Sequence, residues 1–103
     1  AQISKGLASL AKELNIPIIV VSQLNRDSEK RAGGKPKSSD LRDSGQIEQD
    51  ANVILLLHAD AISETDAIID MEIIVAKCRG GRLGSIPVSF HRPITTFKPR
   101  NTQ

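Results

Sequence analysis

Residues 10–21 read Leu-Ala-Lys-Glu-Leu-Asn-Ile-Pro-Ile-Ile-Val-Val, and this stretch decides the fold class. Its second half, Ile16 to Val21, is an unbroken apolar run rich in β-branched residues, which is typical of a parallel strand covered on both faces. Upstream, apolar residues recur at helical spacing and predict an amphipathic helix over roughly residues 2–14, which ends at Asn15: Ile3, Leu7, Leu10, Ala11 and Leu14. A helix followed by a buried strand is half of an α/β unit.

Further strands are predicted downstream of this unit. Asn52 to His58 predicts a second buried strand, and Met71 to Lys77 a third. Gly80 to Gly84 has the composition of a hairpin turn, after which Ser85 to Phe90 returns as a fourth strand and Thr95 to Phe97 is a candidate fifth. No strand precedes Ile16 to Val21, so the predicted sheet lacks its first half.

The composition is that of a globular chain of at most one domain, with 103 residues, 39% hydrophobic and 25% charged. Phe90 and Phe97 are its two aromatic residues, which nearly excludes base stacking on aromatic platforms. A single cysteine, Cys78, fits a reducing compartment. Without a signal peptide or an apolar run of about 18 residues, we expect a cytoplasmic protein with no membrane partner. The start at Ala1 without Met predicts a piece of a longer protein.

Charges of opposite sign are segregated along the second half of the chain. Residues 59–72 carry five acids and no Lys or Arg, whereas residues 77–103 carry six bases and no acid. Such segregation predicts a polarised surface, suited to a polyanion or to head-to-tail contact between subunits. A solvated face without a partner explains the same pattern.

The least generic stretch is Ser38 to Asn52, which mixes charges of both signs with one Gly. Ser44 could cap a short helix that extends to about Gln49. Arg42, Asp43 and Gly45 then lie on the loop that leads into the helix N-terminus, where amide donors, the dipole and an Arg would cradle a phosphate. An ordinary solvated loop with a cap is the alternative.

A long loop precedes this helix. Residues 24–41 contain Gly33-Gly34, Pro36 and five bases, and with Arg42 and Asp43 they predict a mobile loop over residues 24–43. Structureless loops of this length are uncommon in compact domains unless they are functional or disordered.

Three side chains are candidates for phosphate chemistry. Gln23 follows the first predicted strand, and ligands of open α/β sheets bind beyond strand C-termini. Lys77 and Arg79 lie two residues apart at the end of the third strand, a pairing that suits anion capture or an arginine finger. The alternatives are an ordinary polar residue at a strand end and two solvated cations near a hairpin.

Other chemistry has little support in the sequence. No Gly-x-x-x-x-Gly-Lys-Ser/Thr motif is present, so these residues contain no phosphate-cradling loop. No metal site is predicted, because His58 and His91 are far apart and lack Cys or carboxylate partners at ligand spacing. Cys78 has no catalytic His pattern beside it and receives no role.

Four segments in order resemble the C-terminal ATPase domain of DnaB-type replicative helicases. They cover residues 10–17, 22–26, 39–51 and 76–81, and include Ser-Gln-Leu-Asn-Arg, Asp-Leu-Arg-Asp-Ser-Gly-Gln-Ile-Glu-Gln-Asp-Ala and Ala-Lys-Cys-Arg-Gly-Gly. The resemblance extends over residues 3 to about 97. It implies an α/β RecA-like P-loop NTPase fold, with a mostly parallel sheet ending in a β-hairpin, and a hexameric ring that moves along single-stranded DNA at the expense of ATP.

The resemblance also implies roles for residues at the nucleotide. Gln23 matches the sensor of the γ-phosphate at a strand end. Lys77 and Arg79 match the Lys-x-Arg pair that reaches the nucleotide of the neighbouring subunit. Cys78 departs from the family at a position that is often Gln.

On the DNA side, Arg42, Asp43 and Gly45 match the family's DNA-binding loop, which contacts the sugar-phosphate backbone. Asp43 stands at a position that is often Glu, and the acidic segment 59–72 is a further departure.

The resemblance implies that residues 1–103 form a partial RecA-like ATPase domain. In the family, the Walker A loop, the catalytic Glu and the Walker B strand precede the position of residue 1. We therefore expect ATP and Mg²⁺ to bind the intact parent enzyme, with none bound to this segment alone, which would be inactive. The implied partners are single-stranded DNA and identical subunits of a hexamer, with primase and a helicase loader as further candidates.

Two alternatives remain open. A recombination or repair ATPase of the RecA type shares the fold and a strand-end Gln, although the Asp-Leu-Arg-Asp-Ser-Gly run argues against it. A non-catalytic module that binds nucleic acid or a helicase ring belongs to a different class. A Gly-Lys-Ser/Thr loop in the upstream reading frame would decide between them.

Overall fold

A computed structural model describes the fold for residues 2–24, 34–41, 44–59 and 65–100. Its elements, in chain order, are α1 (Gln2–Leu14), a 3-10 helix (Ser38–Asp40), α2 (Ser44–Asp50), β1 (Val53–His58), β2 (Ile68–Cys78), β3 (Gly84–His91), a second 3-10 helix (Arg92–Ile94) and β4 (Thr96–Pro99).

Helix α1 confirms the predicted amphipathic helix and ends where the sequence indicates. Asn15 has the left-handed φ of 55° that terminates many helices. The amide of Asn15 donates to the carbonyl of Lys12 at 3.3 Å, and the amide of Ile16 donates to that of Ala11 at 3.1 Å. This pair of hydrogen bonds forms a Schellman motif, which satisfies carbonyls that the helix itself leaves without partners.

The described strands form one antiparallel sheet in the order β1-β2-β3-β4. The second to fifth predicted strands are all present. Strand β2 begins at Ile68 rather than Met71, because residues 68–70 continue the pairing with the end of β3. The predicted hairpin turn joins β2 to β3, and it contains Gly80 at a φ of 81°, where an L side chain would be strained.

Strand β1 differs from the prediction in being buried on one face. Ile54 and Leu56 are 6% and 3% exposed, whereas Val53, Leu55 and Leu57 are at least half exposed. The prediction of a buried strand is correct for one face only because, within the described residues, α2 and Leu24 with Leu41 pack against the Ile54 face. The core on that face comprises Leu41, Ile54 and Leu56, with Leu24, Ile47, Ala51, Ile74 and Ala76 packed around them.

The segment Ile16 to Val21 is not a β-strand in the structure, which corrects the first predicted strand. Ile19 and Val21 are 91% and 94% exposed. A strand needs neighbours to pair its amides and carbonyls, and none of the described residues pairs with this segment. Just beyond it, Leu24 forms an isolated antiparallel bridge with Leu41. The parallel part of the predicted sheet therefore has no counterpart among the described strands.

The predicted loop at residues 24–43 is described in part. Residues 25–33 and 42–43 lie outside the described residues, whereas residues 34–41 pack against the sheet, with Pro36, Asp40 and Leu41 buried. The amide of Lys37 donates to Asp40 Oδ2 at 2.7 Å, which closes the 3-10 turn. The end of this segment thus has a defined place, and the mobility of the whole loop stays a prediction.

The predicted charge segregation is partly neutralised by ion pairs across the fold. Lys35 Nζ lies 3.1 Å from Glu72 Oε1, and Arg100 lies 3.4 Å from Asp70 Oδ2. Two of the five acids in segment 59–72 are therefore paired with bases. No helix in the described part of the chain is long and apolar enough to cross a membrane.

The exposed run at residues 16–21 leads to a prediction about the isolated 103-residue polypeptide. We expect it to self-associate, because an exposed apolar segment that no described strand pairs with recruits other chains. Replacing Ile19 and Val21 by Lys should reduce self-association without loss of the helical circular dichroism signal, since both side chains are almost fully exposed. Sedimentation velocity over a range of concentrations measures the effect.

The matched control places two lysines at Ser9 and Ser39, which are exposed positions outside the apolar run. This control adds the same charge and should leave the association unchanged. A monodisperse wild-type monomer with a sharp, concentration-independent melt would contradict the prediction.

Candidate functional site

Of the two predicted cations, Lys77 lies near the end of β2, where the pairing with β1 is irregular, and Arg79 is the first residue after the strand. Ile54 is opposite Lys77 and Leu55 is opposite Val75, so Ala76 is the extra residue of a β-bulge. A bulge bends its strand and changes the direction of the side chains that follow it. Residues directly opposite each other share a face, so the bulge places Lys77 on the buried Ile54 face, towards α2.

Lys77 makes contacts that its sequence position did not predict. Its Nζ donates a hydrogen bond to the carbonyl of Glu48 and lies 3.4 Å from the carbonyl of Gln49. These carbonyls belong to the last turn of α2, where intrahelical donors run out and the helix dipole is negative. Lys77 therefore caps the C-terminus of α2 and links that helix to the sheet.

Arg79 is fixed through its main chain and exposed through its side chain. Its amide donates to the carbonyl of Asn52 at 2.9 Å, which holds the chain against the start of β1. The Arg79 guanidinium makes no hydrogen bond or ion pair within the described part of the chain. An exposed guanidinium on a fixed main chain is available to an external anion, for which its planar donors are suited.

A polar network at Asp50 joins the two helices and was missed by the sequence analysis. Asp50 Oδ2 accepts hydrogen bonds from Gln46 Nε2 at 2.8 Å and from Ser4 Oγ at 2.9 Å. These bonds, that from Gln46 first, lower the pKa of Asp50; the charges of Lys5 and Lys77 lower it further, while partial burial acts in the opposite direction. The i, i+4 spacing of Gln46 and Asp50 is a sequence signal for the first of these hydrogen bonds. The second has no such signal, because Ser4 is 46 positions away from Asp50.

The predicted DNA-side residues are described only at the start of α2. Gly45 lies in the first turn and is exposed, and a Cβ at this position would meet no described atom within 4 Å apart from its chain neighbours and the backbone of its own helix. Ser44, the predicted cap, is the first residue of the helix. Arg42 and Asp43 lie outside the described residues, so their predicted contact with DNA is not tested.

Gln23 makes no contact with Lys77 or Arg79 among the described hydrogen bonds. It is exposed, and its neighbour Leu24 packs against the core cluster. In the described residues no hydrogen bond joins the Gln23 side chain to Lys77 or Arg79, so its role as a phosphate sensor stays a prediction. Across residues 2–24, 34–41, 44–59 and 65–100, no group of three or more His, Cys, Asp or Glu could hold a metal ion.

Comparison with protein families and with characterised proteins gives consistent results. The family model for the DnaB-like helicase C terminal domain matches residues 1–99. The replicative DNA helicase DnaB of Buchnera aphidicola subsp. Baizongia pistaciae is 48% identical over 93 residues, which cover 88% of this chain and 20% of that protein. DnaB of Pasteurella multocida is 44% identical over 101 residues, which cover 94% of this chain and 21% of that protein. The chain thus spans about a fifth of the length of these relatives.

Solved structures agree on the fold. The ATPase domain of a DnaB-like helicase superposes with a TM-score of 0.83 at 39% identity, and the match covers 97% of this chain and 36% of that domain. A DnaB-like replicative helicase, solved in a study of its interactions with primase, gives a TM-score of 0.84 at 39% identity. This match covers 97% of this chain and 24% of that helicase chain. These matches confirm the predicted fold class: the antiparallel sheet with its helices is part of a RecA-like ATPase domain.

The Asp50 network predicts a dependence of stability on pH. A carboxylate whose pKa is lowered by folding stabilises the native state above its unfolded-state pKa, near 3.8, and loses that contribution as the pH falls through the folded value. Asp50→Asn should therefore be less stable than the wild type at pH 6, and the difference should shrink below about pH 4. Denaturant unfolding at a series of pH values measures this.

Asp66→Asn is the control, because Asp66 is exposed in a loop and makes no hydrogen bond with the described residues. A stability difference between wild type and Asp50→Asn that stayed constant from pH 6 to pH 3 would show that the carboxylate charge is not responsible.

Proposed function

Because the chain belongs to the DnaB-like helicase C-terminal domain family, we propose that it is the C-terminal segment of an ATP-driven replicative DNA helicase motor. The observation that carries the proposal is the exposed Arg79, two residues after Lys77, on a main chain fixed to Asn52. Since the chain spans about a fifth of its relatives, the motor activity belongs to the larger protein.

In this proposal Lys77 and Arg79 act on the phosphates of a nucleotide bound by the neighbouring subunit. A guanidinium placed against the transferred phosphoryl group stabilises the charge that develops there, and its planar donors match phosphate oxygens. The bond from the Arg79 amide to Asn52 supports this role, because it limits main-chain movement beneath the cation. Gln23 would hydrogen-bond the attacking water or the γ-phosphate.

The proposed nucleotide is ATP with Mg²⁺. When bound, ATP would supply the γ-phosphoryl group that hydrolysis transfers to water. The residues of this chain fit part of that requirement. Lys77, Arg79 and Gln23 are suited to phosphate oxygens, whereas the sequence holds no Gly-Lys-Ser/Thr loop and the described residues hold no carboxylate cluster for a metal. We infer that these three residues complete a nucleotide site built mainly from other residues, and that residues 1–103 alone do not hydrolyse ATP.

On the DNA side, we propose that Arg42, Asp43 and Gly45 contact the backbone of single-stranded DNA. The exposure of Gly45 and the absence of a side chain there support close approach of a backbone phosphate. Such contacts carry no base information, as a translocating motor requires.

The proposed assembly is a ring of six identical subunits in the cytoplasm. Primase is a proposed partner because the solved DnaB-like relative was studied for its interactions with primase, and a helicase loader is a further candidate. The recombinase and accessory-module alternatives have less support, because the matched relatives are replicative helicases.

The trans role of Arg79 leads to the central test. In the full-length protein, Arg79→Ala should reduce DNA-stimulated ATP hydrolysis by about 10³-fold or more, while the hexamer still forms and still binds ATP. Arg79→Lys should restore little, since Lys lacks the planar fork. Arg82→Ala, an exposed arginine in the same turn, is the matched control and should retain activity.

Mixing two defective subunits distinguishes action within a subunit from action across the interface. Subunits with Arg79→Ala are combined with subunits that lack their own phosphate-loop lysine. Interfaces that join an intact phosphate loop to an intact Arg79 should recover hydrolysis. If no mixture recovers activity, the trans assignment is wrong.

Arg42 provides a separate test of the DNA side. Arg42→Ala should weaken binding to single-stranded DNA by a similar factor for different sequences, because a phosphate contact is independent of the base. It should also lower the slope of log affinity against log salt by about 0.7, as expected for one lost contact to a single strand. Fluorescence anisotropy at several salt concentrations measures both, and a loss confined to one sequence would refute the role.

A further inference from the structure

The two faces of the sheet differ in composition. Directly paired residues of an antiparallel sheet lie on the same face, so the register assigns each side chain to one of them. Two rows of partners represent the first face: Leu57, Ile73 and Ile86 across β1 to β3, and Ile69, Phe90 and Phe97 across β2 to β4. Beyond the bulge, every paired position on this face is apolar or glycine, and none carries a charge. We call it the uncharged face.

The opposite face carries the charged side chains of the sheet. Asp70, Glu72, Lys77 and Lys98 lie there, and the core cluster around Ile54 packs there with α2. When apolar and charged residues are divided in this way between the faces of an antiparallel sheet, the apolar face is the one that a domain directs to its interior.

The uncharged face is nevertheless open within this segment. Leu57, Ile86 and Phe97 are 50%, 51% and 46% exposed. Near the middle of the face, Val88 lies between its partners Met71 and Pro99 and is 7% exposed. An apolar surface that spans four strands is unusual for a solvated face and marks a site of contact.

We propose that the uncharged face is an interface inside the parent ATPase domain, covered by residues of the same domain that lie outside residues 1–103. The match to a solved ATPase domain has a TM-score of 0.83, and it covers 97% of this chain but 36% of that domain. This segment therefore has the same fold as a minor part of a larger domain, and most of that domain lies outside the match. The inference rests on the proposed function, because it takes the chain to be a segment of that motor.

The composition of the face favours this occupant over a neighbouring subunit or a separate protein. Interfaces between separate proteins are about as apolar as the rest of the surface, and homodimer interfaces are about 65% apolar. A face without a charged position beyond the bulge resembles a domain interior instead. Because β2 leads directly to Lys77 and Arg79, cover on its second face would also fix the strand that positions both cations.

Thiol labelling in the full-length protein tests the cover. Ile86→Cys places a thiol on the uncharged face, and Lys98→Cys places one at an exposed position on the opposite face. The Ile86→Cys thiol should react with N-ethylmaleimide about tenfold more slowly or less, because a covered side chain reacts only after local opening. Peptide mass spectrometry identifies the labelled thiol, and the two rates should become similar in denaturant.

Photo-cross-linking identifies what covers the face. In the full-length hexamer, p-benzoylphenylalanine replaces Phe97 in one variant and its neighbour Lys98, on the opposite face, in the control. Cross-links from position 97 should run at the mass of a single subunit on a denaturing gel. Mass spectrometry should locate them in the ATPase domain outside residues 1–103, whereas position 98 should give few such products.

Three outcomes would overturn the proposal. An Ile86→Cys thiol that reacts as fast as that of Lys98→Cys would show that the face is open. Products from position 97 at the mass of two subunits would assign the cover to a neighbouring subunit. Products confined to residues 1–103 would show that the segment covers its own face. Neither measurement requires hydrolysis, so failure of the Arg79 mixing experiment would refute the trans role and leave this inference standing.

Discussion

The pairing of β1 with β2, interrupted by the bulge at Ala76, is the constraint on which the rest of the structure depends. In an uninterrupted ladder, side chains alternate between faces, and Lys77 would lie on the other face of the sheet from Ile74. Because of the extra residue, Lys77 is instead the cross-strand partner of Ile54 and lies on the face that α2 covers. One unpaired residue therefore brings a cation to the end of a helix and sets where the chain turns towards Arg79.

Backbone hydrogen bonding also explains the largest difference between the sequence prediction and the structure. The residues from Ile16 to Val21 have strand composition, but a strand is defined by partners, and the described residues supply none. The same reasoning applies to β1, whose Leu55 side remains half exposed while its Leu56 side is buried. The match to the solved ATPase domain covers 36% of that domain, so most of that domain lies outside the matched part.

The sequence predictions were accurate for features that depend on residues close together in the chain. They were less accurate for features that depend on residues far apart. Periodicity and the termination signal at Asn15 gave α1, and β-branched runs with a glycine turn gave the hairpin, because these signals are local. The cap that Lys77 provides joins residues about 30 positions apart, and the bond between Ser4 and Asp50 joins residues 46 apart. Neither leaves a pattern in a single sequence, so the positions of the candidate cations were predicted but their contacts were not.

The shortness of α2 makes those long-range contacts decisive. Isolated helices of fewer than about 12 residues are marginal in water, and α2 has seven. Its conformation therefore depends on the packing of Ile47 and Ala51 against the core, and on the polar contacts at its C-terminal end. The buried side chain of Ile47 and the charge-assisted bond from Lys77 are contributions of comparable size, so the contact with Lys77 is one of the few that hold the helix in place. A helix held by so few contacts depends more on each of them than a longer and better buried helix would.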